Sequence, residues 1–145
     1  MRTSIAYLLR TPMLRLVLAL GLTSCFASST SATDLSGHWS GQWISCTSGH
    51  KGPLQADFCK ICETKYRVTF TGRFFVVFPF RYQVTLNVVS DDGEHVTLSG
   101  TSYLGRIYGT FRYNATATCT DFVSRYDSCK DDGKFVLHRC CNDCR

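Results

Sequence analysis

The chain has 145 residues, with 16 Lys and Arg against 11 Asp and Glu, 19% charged residues and nine cysteines. That length suits one domain built around one core. Three of the basic residues, Arg2, Arg10 and Arg15, precede Cys25, so the remainder carries 13 against 11 and is nearly neutral; its cations are scattered rather than striped, which argues against a nucleic-acid partner.

The first predicted element is an export signal over residues 1–24. Arg2, Arg10 and Arg15 give a positive start, and Leu16-Val17-Leu18-Ala19-Leu20-Gly21-Leu22 is an apolar run too short to span a bilayer. No second apolar run of spanning length follows. Leu22-Thr23-Ser24-Cys25 resembles the bacterial lipobox, in which an aliphatic residue and two small ones precede a cysteine that is lipidated. Two outcomes follow: an envelope lipoprotein anchored through Cys25, or a freely secreted chain cut after Ala27 or Ala32. Either way the protein is expected outside the cytoplasm. Residues 25–35, rich in Ser, Thr and Ala, read as a flexible leader. The domain is expected over residues 36–145, with a Cys-rich C-terminal tail.

From Leu35 onward the dominant signal is alternation of apolar and polar residues, the period of a half-buried strand. Eight segments carry it. Trp39 to Ser45 places Trp39, Gly41 and Trp43 on one face. Pro53 to Cys59 aligns Leu54, Ala56 and Phe58, and Lys65 to Thr71 aligns Tyr66, Val68 and Phe70. Arg81 to Val89 is the clearest, with Tyr82, Val84, Leu86 and Val88 opposite Arg81, Gln83, Thr85 and Asn87. Glu94 to Ser99 directs Val96 and Leu98 inward. Ile107 to Ala117 lines up Ile107, Phe111, Tyr113, Ala115 and Ala117. Asp121 to Asp127 aligns Phe122, Ser124 and Tyr126, and Lys134 to Arg139 pairs Phe135 with Leu137. Asp91-Asp92-Gly93 and Asp131-Asp132-Gly133 are the turn sequences of tight hairpins, where Asp-Gly accepts positive φ.

Eight short strands joined by hairpins need their apolar faces covered, and no helical segment is available to do it. Closing the sheet on itself covers those faces and removes the exposed edges together. The fold class predicted is therefore all-β, a small eight-stranded antiparallel up-and-down barrel, whose interior is just wide enough for side chains or one small ligand. A two-sheet sandwich uses the same pattern.

Gly37-His38-Trp39 and Gly41-Gln42-Trp43 each resemble the Gly-x-Trp opening of the first strand in lipocalins and related barrels. The resemblance implies that a basic residue of the last strand packs on the tryptophan, a role that Arg139 would fill. The chain departs from lipocalins in being short and in having no helix after the barrel. Ser48-Gly49-His50-Lys51-Gly52-Pro53-Leu54, Gly72-Arg73-Phe74-Phe75 and Phe78-Pro79-Phe80-Arg81-Tyr82 are similar to stretches of secreted bacterial β-barrel proteins, a likeness that implies no activity.

Beyond Cys25 the cysteines number eight: Cys46, Cys59, Cys62, Cys119, Cys129, Cys140, Cys141 and Cys144. An even count in an exported chain reads as up to four disulfides. Cys59-Lys60-Ile61-Cys62 and Cys141-Asn142-Asp143-Cys144 also carry zinc-ribbon spacing, so a Cys59, Cys62, Cys141, Cys144 zinc site is the rival reading. In a meander Cys46 and Cys129 fall at one barrel end and the other six at the opposite end. The eighth strand closes beside the first, so Cys46–Cys129 is the expected bridge.

No catalytic constellation, cofactor motif or histidine metal spacing stands out, so neither enzymatic activity nor a cofactor is expected. The histidines read as surface residues, and Asp91, Asp92, Asp131 and Asp132 as turn residues. Phe74, Phe75, Phe78 and Phe80 form an aromatic run between the third and fourth strands. It reads first as a plug over one barrel end and second as a ligand or partner patch. Two functions remain. One is a non-enzymatic envelope or interaction module, favoured because so many inward rings could fill the barrel unaided. The other is a lipocalin-like binder of a small apolar molecule, which a cavity of a few hundred cubic ångströms would favour.

Overall fold

A computed structural model describes residues 32–74 and 77–139. The alternating pattern forms eight strands: β1 (Gly37–Ser45), β2 (Lys51–Cys62), β3 (Lys65–Phe74), β4 (Phe78–Asp91), β5 (Val96–Tyr103), β6 (Thr110–Ala117), β7 (Asp121–Asp127) and β8 (Asp132–Arg139). Each pairs antiparallel with the next, and β8 returns to pair with β1, closing an up-and-down barrel. Closure leaves every strand with two neighbours, so no ladder of backbone groups lies open.

Register shows why the sequence closes in this way. Trp39 stands opposite Ala56 on β2 and Arg139 on β8. At the base large inward residues face small ones, Trp39 against Ala56 and Phe122 against Ala117, whereas toward the mouth large faces large, as in Trp43 with Phe135 and Tyr113 with Tyr126. Burial follows the parity read from sequence, with Leu54, Ala56 and Phe58 of β2 and Val96 and Leu98 of β5 inside. Outward positions such as Arg81, Gln83, Thr85 and Asn87 are exposed.

The barrel has two unlike ends. The connections after β1, β3, β5 and β7 surround one, called here the mouth; those after β2, β4 and β6 surround the base. The base half is solid: Trp39 packs on Phe58 and Phe122 at centroid separations of 5.5 and 6.4 Å. Beneath them the residues before β1 close the end. Leu35 is fully buried, its carbonyl accepts from Trp39 Nε1 at 3.0 Å, and Tyr66 Oη donates to the Thr33 carbonyl at 3.2 Å. So Thr33 to Leu35, read as the end of a flexible leader, dock as a cap. A buried leucine and two satisfied ring hydroxyl and indole groups hold them there.

The Arg139 guanidinium lies 4.5 Å from the Trp39 ring centroid and donates to the Asp34 carbonyl at 3.0 Å. The contact implied by the Gly-x-Trp resemblance is present. It is a packing feature of the base and identifies no family.

Two turns differ from expectation. Ile107 does not begin the sixth strand: Gly105–Tyr108 form a short helix, α1, and Ile107 is 71% exposed. Leu104 N–H donates to the Gly109 carbonyl and Gly109 N–H to the Gly105 carbonyl, both at 2.8 Å, which closes a compact loop where the alternation was read straight through. Asp131-Asp132-Gly133 is not a tight Asp-Gly turn either. The turn is Ser128–Asp131, closed by Ser128 N–H to the Asp131 carbonyl at 2.9 Å, and Gly133 lies inside β8. Glycine is required there for room, since a Cβ would run into the Ile44 carbonyl and the Tyr126 ring. The Asp91-Asp92-Gly93 turn is as expected, with Gly93 at φ 88 and its N–H donating to Asp91 Oδ1 at 2.9 Å.

Candidate ligand cavity

Above the solid base the barrel is hollow. A cavity of about 640 Å3 opens at the mouth. Its walls are rings from alternate positions of the strands: Trp43 of β1, Phe74 of β3, Phe80 and Tyr82 of β4, Phe111 of β6, Tyr126 of β7 and Phe135 of β8. They touch one another round the wall. Tyr126 and Phe135 lie 4.9 Å apart, Phe74 and Phe80 4.4 Å, and Phe111 and Tyr126 5.6 Å. Pockets of this size with apolar walls and few polar groups are the usual form of a small-molecule site.

Round the wall neighbouring rings lie tilted on one another, while below the cavity Phe70 meets Phe135 at 5.1 Å and Tyr113 at 6.4 Å across the barrel and forms its floor. Trp43 Nε1 is tied sideways to the Arg73 carbonyl at 3.1 Å. Tyr126 Oη donates to Asp131 Oδ2 at 2.9 Å, and Ser45 Oγ donates to Asp131 Oδ1 at 2.6 Å. Asp131 thus occupies its carboxylate with wall residues and holds Tyr126 against the side. Burial raises the Tyr126 phenol well above its ordinary value, and the Asp131 carboxylate adds to the effect. Burial likewise holds the Tyr82 phenol far above the usual range, with Tyr113 beside it. It pushes Tyr113 up to about 12. The Tyr113 hydroxyl is sealed from solvent without a partner at hydrogen-bond distance, and Tyr82 is the side chain whose hydroxyl acts on it. These phenols stay neutral, so the lining carries no charge from them.

Tyr103, Leu104, Ile107 and Tyr108, on the connection from β5 to β6, overhang the opening. Tyr108 stacks on Phe74 across the mouth, at 6.2 Å and 17° between planes. Lys130 and Arg81 complete the rim.

The described part of the aromatic run leaves the cavity open at the mouth. Phe74 pairs with Phe78 at the tip of the β3–β4 hairpin. Phe74 and Phe80 face inward and line the cavity, whereas Phe78 is 65% exposed. Phe75 lies outside the described residues. Phe78 shares the inward face with Phe80, two residues on, and with its cross-strand partner Phe74; it is exposed because it stands at the hairpin tip, at the far end of the strand. Sequence reading missed Tyr103, Leu104, Tyr108 and Asp131. The signal was there in Tyr103-Leu104-Gly105-Arg106-Ile107-Tyr108, a connection with four large apolar residues, which water alone would not favour.

The cysteines fall at the ends expected from the meander, Cys46 and Cys129 near the mouth and Cys59, Cys62 and Cys119 near the base. The Cys46–Cys129 bridge is not formed; both are free thiols, as are Cys59 and Cys62. Cys46 N–H is paired to the Asp132 carbonyl at 2.7 Å, while Cys129 Sγ turns toward Gly109 on the neighbouring connection. Cys119 is disulfide-bonded. Cys25, Cys140, Cys141 and Cys144 lie outside the described residues, and with them the remaining pairings and half of the rival zinc site.

No family model matches the chain, and no curated protein matches it. Among solved structures it is similar to a de novo designed fluorescence-activating β-barrel, at 16% identity and a TM-score of 0.49, over 72% of this chain and 91% of the designed one. That similarity is one of barrel shape alone.

Proposed function

We propose that this chain is a non-enzymatic, extracytoplasmic binder of a small apolar molecule, held in the hollow half of the barrel. One observation carries the reading: a largely apolar, ring-lined cavity of about 640 Å3 open at the mouth, with charged groups only in Asp131 and in Arg81 and Lys130 at the rim. The rings that could have filled the whole interior fill only the base, which reverses the preference for a cavity-free interaction module. A cavity of this volume has room for a molecule of drug-like size. The location rests on the leader at residues 1–24, with Cys25 as acyl anchor and membrane partner if the lipobox is used. The disulfide-bonded Cys119 suits that oxidising compartment.

Titration with N-phenyl-1-naphthylamine, a neutral apolar dye, tests the site. We expect saturable one-to-one binding with Kd in the micromolar range, a rise in dye emission and quenching of tryptophan emission through Trp43. Phe111→Arg places a cation on the wall and should weaken binding at least tenfold while circular dichroism stays that of a barrel. Dye emission that rises without saturation, or is unchanged by Phe111→Arg, would sink the reading.

A further inference from the structure

Charge and exposed apolar surface are both sorted by barrel end. Of the large hydrophobic side chains exposed in the described residues, Val77, Phe78, Tyr103, Ile107 and Tyr108 crown the mouth, on two neighbouring projections: the β3–β4 hairpin and the β5–β6 connection. Ile61, Val89 and Val123 lie elsewhere and apart. Among the described residues nothing covers the crown. Val77 and Ile107 are each 71% exposed.

Cations ring that crown. Lys51, Arg73, Arg81, Arg106 and Lys130 are all exposed at or near the mouth, and none forms an ion pair among the described residues. The carboxylates of the same end are already engaged. Asp127 faces Arg112 at 3.5 Å, Asp131 accepts from Ser45 and Tyr126, and Asp132 accepts from Thr47 Oγ1 at 2.7 Å. At the base the sign reverses. Glu63, Asp91, Asp92, Glu94 and Asp121 stand on or beside its turns, with Lys65 and Arg67 as its exposed cations and the half-buried Lys60 bound to Glu63 at 2.8 Å. The molecule is an electric dipole with its positive end at the mouth, so a negatively charged plane attracts it mouth first.

We infer that the mouth end docks on an anionic lipid bilayer, with Phe78 and Ile107 inserting among the headgroups and the ring of Lys and Arg lying at the phosphate level. Charge complementarity selects this occupant. Apolar side chains alone would fit any hydrophobic partner, but five unpaired cations around an apolar crown match the layered chemistry of a bilayer surface, with phosphates above hydrocarbon. Docked in this way, the opening faces the lipid, and an apolar ligand passes between bilayer and cavity without crossing water. That last step rests on the function proposed above; the docking does not.

Co-sedimentation with vesicles tests it, using the exported protein carrying Cys25→Ser so that no acyl anchor contributes. We expect binding to vesicles of phosphatidylcholine with phosphatidylglycerol, little binding to phosphatidylcholine alone, and loss of binding at high salt. Arg73→Glu and Arg106→Glu remove two cations and add two repelling charges; each lost cation should lower partitioning about fivefold. Val77→Asp with Phe78→Asp should also release the protein, whereas Lys65→Glu with Arg67→Glu at the base should not. All these positions are exposed, so the barrel persists, and dye binding in vesicle-free solution should survive in every variant. Equal binding to neutral and anionic vesicles, no binding to either, or equal sensitivity at the base overturns the docking. Loss of dye binding with vesicle binding intact overturns the cavity reading instead.

Discussion

Phe78 and Leu35 show how far burial, and not residue type, sets the consequence of a change. Phe78 is 65% exposed, so Phe78→Asp should leave stability within about 0.5 kcal/mol. Leu35 is fully buried, so Leu35→Ala should cost about 2–4 kcal/mol in denaturant unfolding. The buried phenols fix the alkaline limit. Burial, the largest cause in each case, raises the pKa of Tyr82, Tyr113 and Tyr126, and Tyr113 reaches about 12. A raised pKa in the folded state means that the unfolded chain ionises first. The contribution of these groups is whole below about pH 10, the ordinary tyrosine value, and is lost as pH climbs toward 12. The absorbance of phenolate should therefore rise in two stages, the second coinciding with unfolding. A single smooth titration ending near pH 10.5 with the barrel intact would contradict this burial. On the acid side, hydrogen bonds from Ser36, from the His95 and Glu94 amides and from Thr120 lower Asp34, Asp92 and Asp121 respectively. Their support is present above about pH 4 and fades as pH falls below it; being exposed, they move the melting temperature only slightly.

Among the connections, the one bearing α1 has the largest expected effect on binding. It carries Tyr103, Leu104, Ile107 and Tyr108 over the opening, and Tyr108 is anchored across it by its stacking on Phe74. Tyr108→Ala should cut that link. Dye association and dissociation should both quicken in stopped-flow traces, with stability nearly unchanged, because the residue is about half exposed. Unchanged rates would mean that the connection does not gate the opening. The same segment was the least legible in the sequence. Strands were readable because period two repeats over five or more residues, as in Tyr82, Val84, Leu86 and Val88, whereas a four-residue helix between Gly105 and Gly109 is too short to show a period. The Ser128–Asp131 turn was misread for a related reason. Asp-Gly has the composition of a tight turn, but Gly133 serves packing against Tyr126, a tertiary demand that local sequence does not display.

Closure of the barrel followed from counting apolar faces with nothing to cover them, and the ends assigned to Cys46, Cys59, Cys62, Cys119 and Cys129 followed from strand alternation. The cavity did not, because inward parity counts rings without saying whether they meet across the axis. In the base half they meet, as in the Trp39, Phe58 and Phe122 cluster; in the mouth half hydrogen bonds to Arg73 and Asp131 hold Trp43 and Tyr126 to the wall. The molecule is therefore a solid half joined to a hollow one, and ligand should stabilise it through the hollow half. At a hundredfold excess over Kd a bound molecule adds about 2.7 kcal/mol, a rise in melting temperature of order 10 °C for a domain of this size. Leu98→Ala, in the solid half, should lower the melting temperature with and without ligand by the same amount, since it leaves the cavity untouched. Phe111→Arg should abolish most of the ligand-dependent rise. Calorimetry of the three proteins with saturating dye separates the halves. If Leu98→Ala removed the rise as completely as Phe111→Arg, the two halves would be one cooperative cavity, and the division drawn from the packing would be wrong.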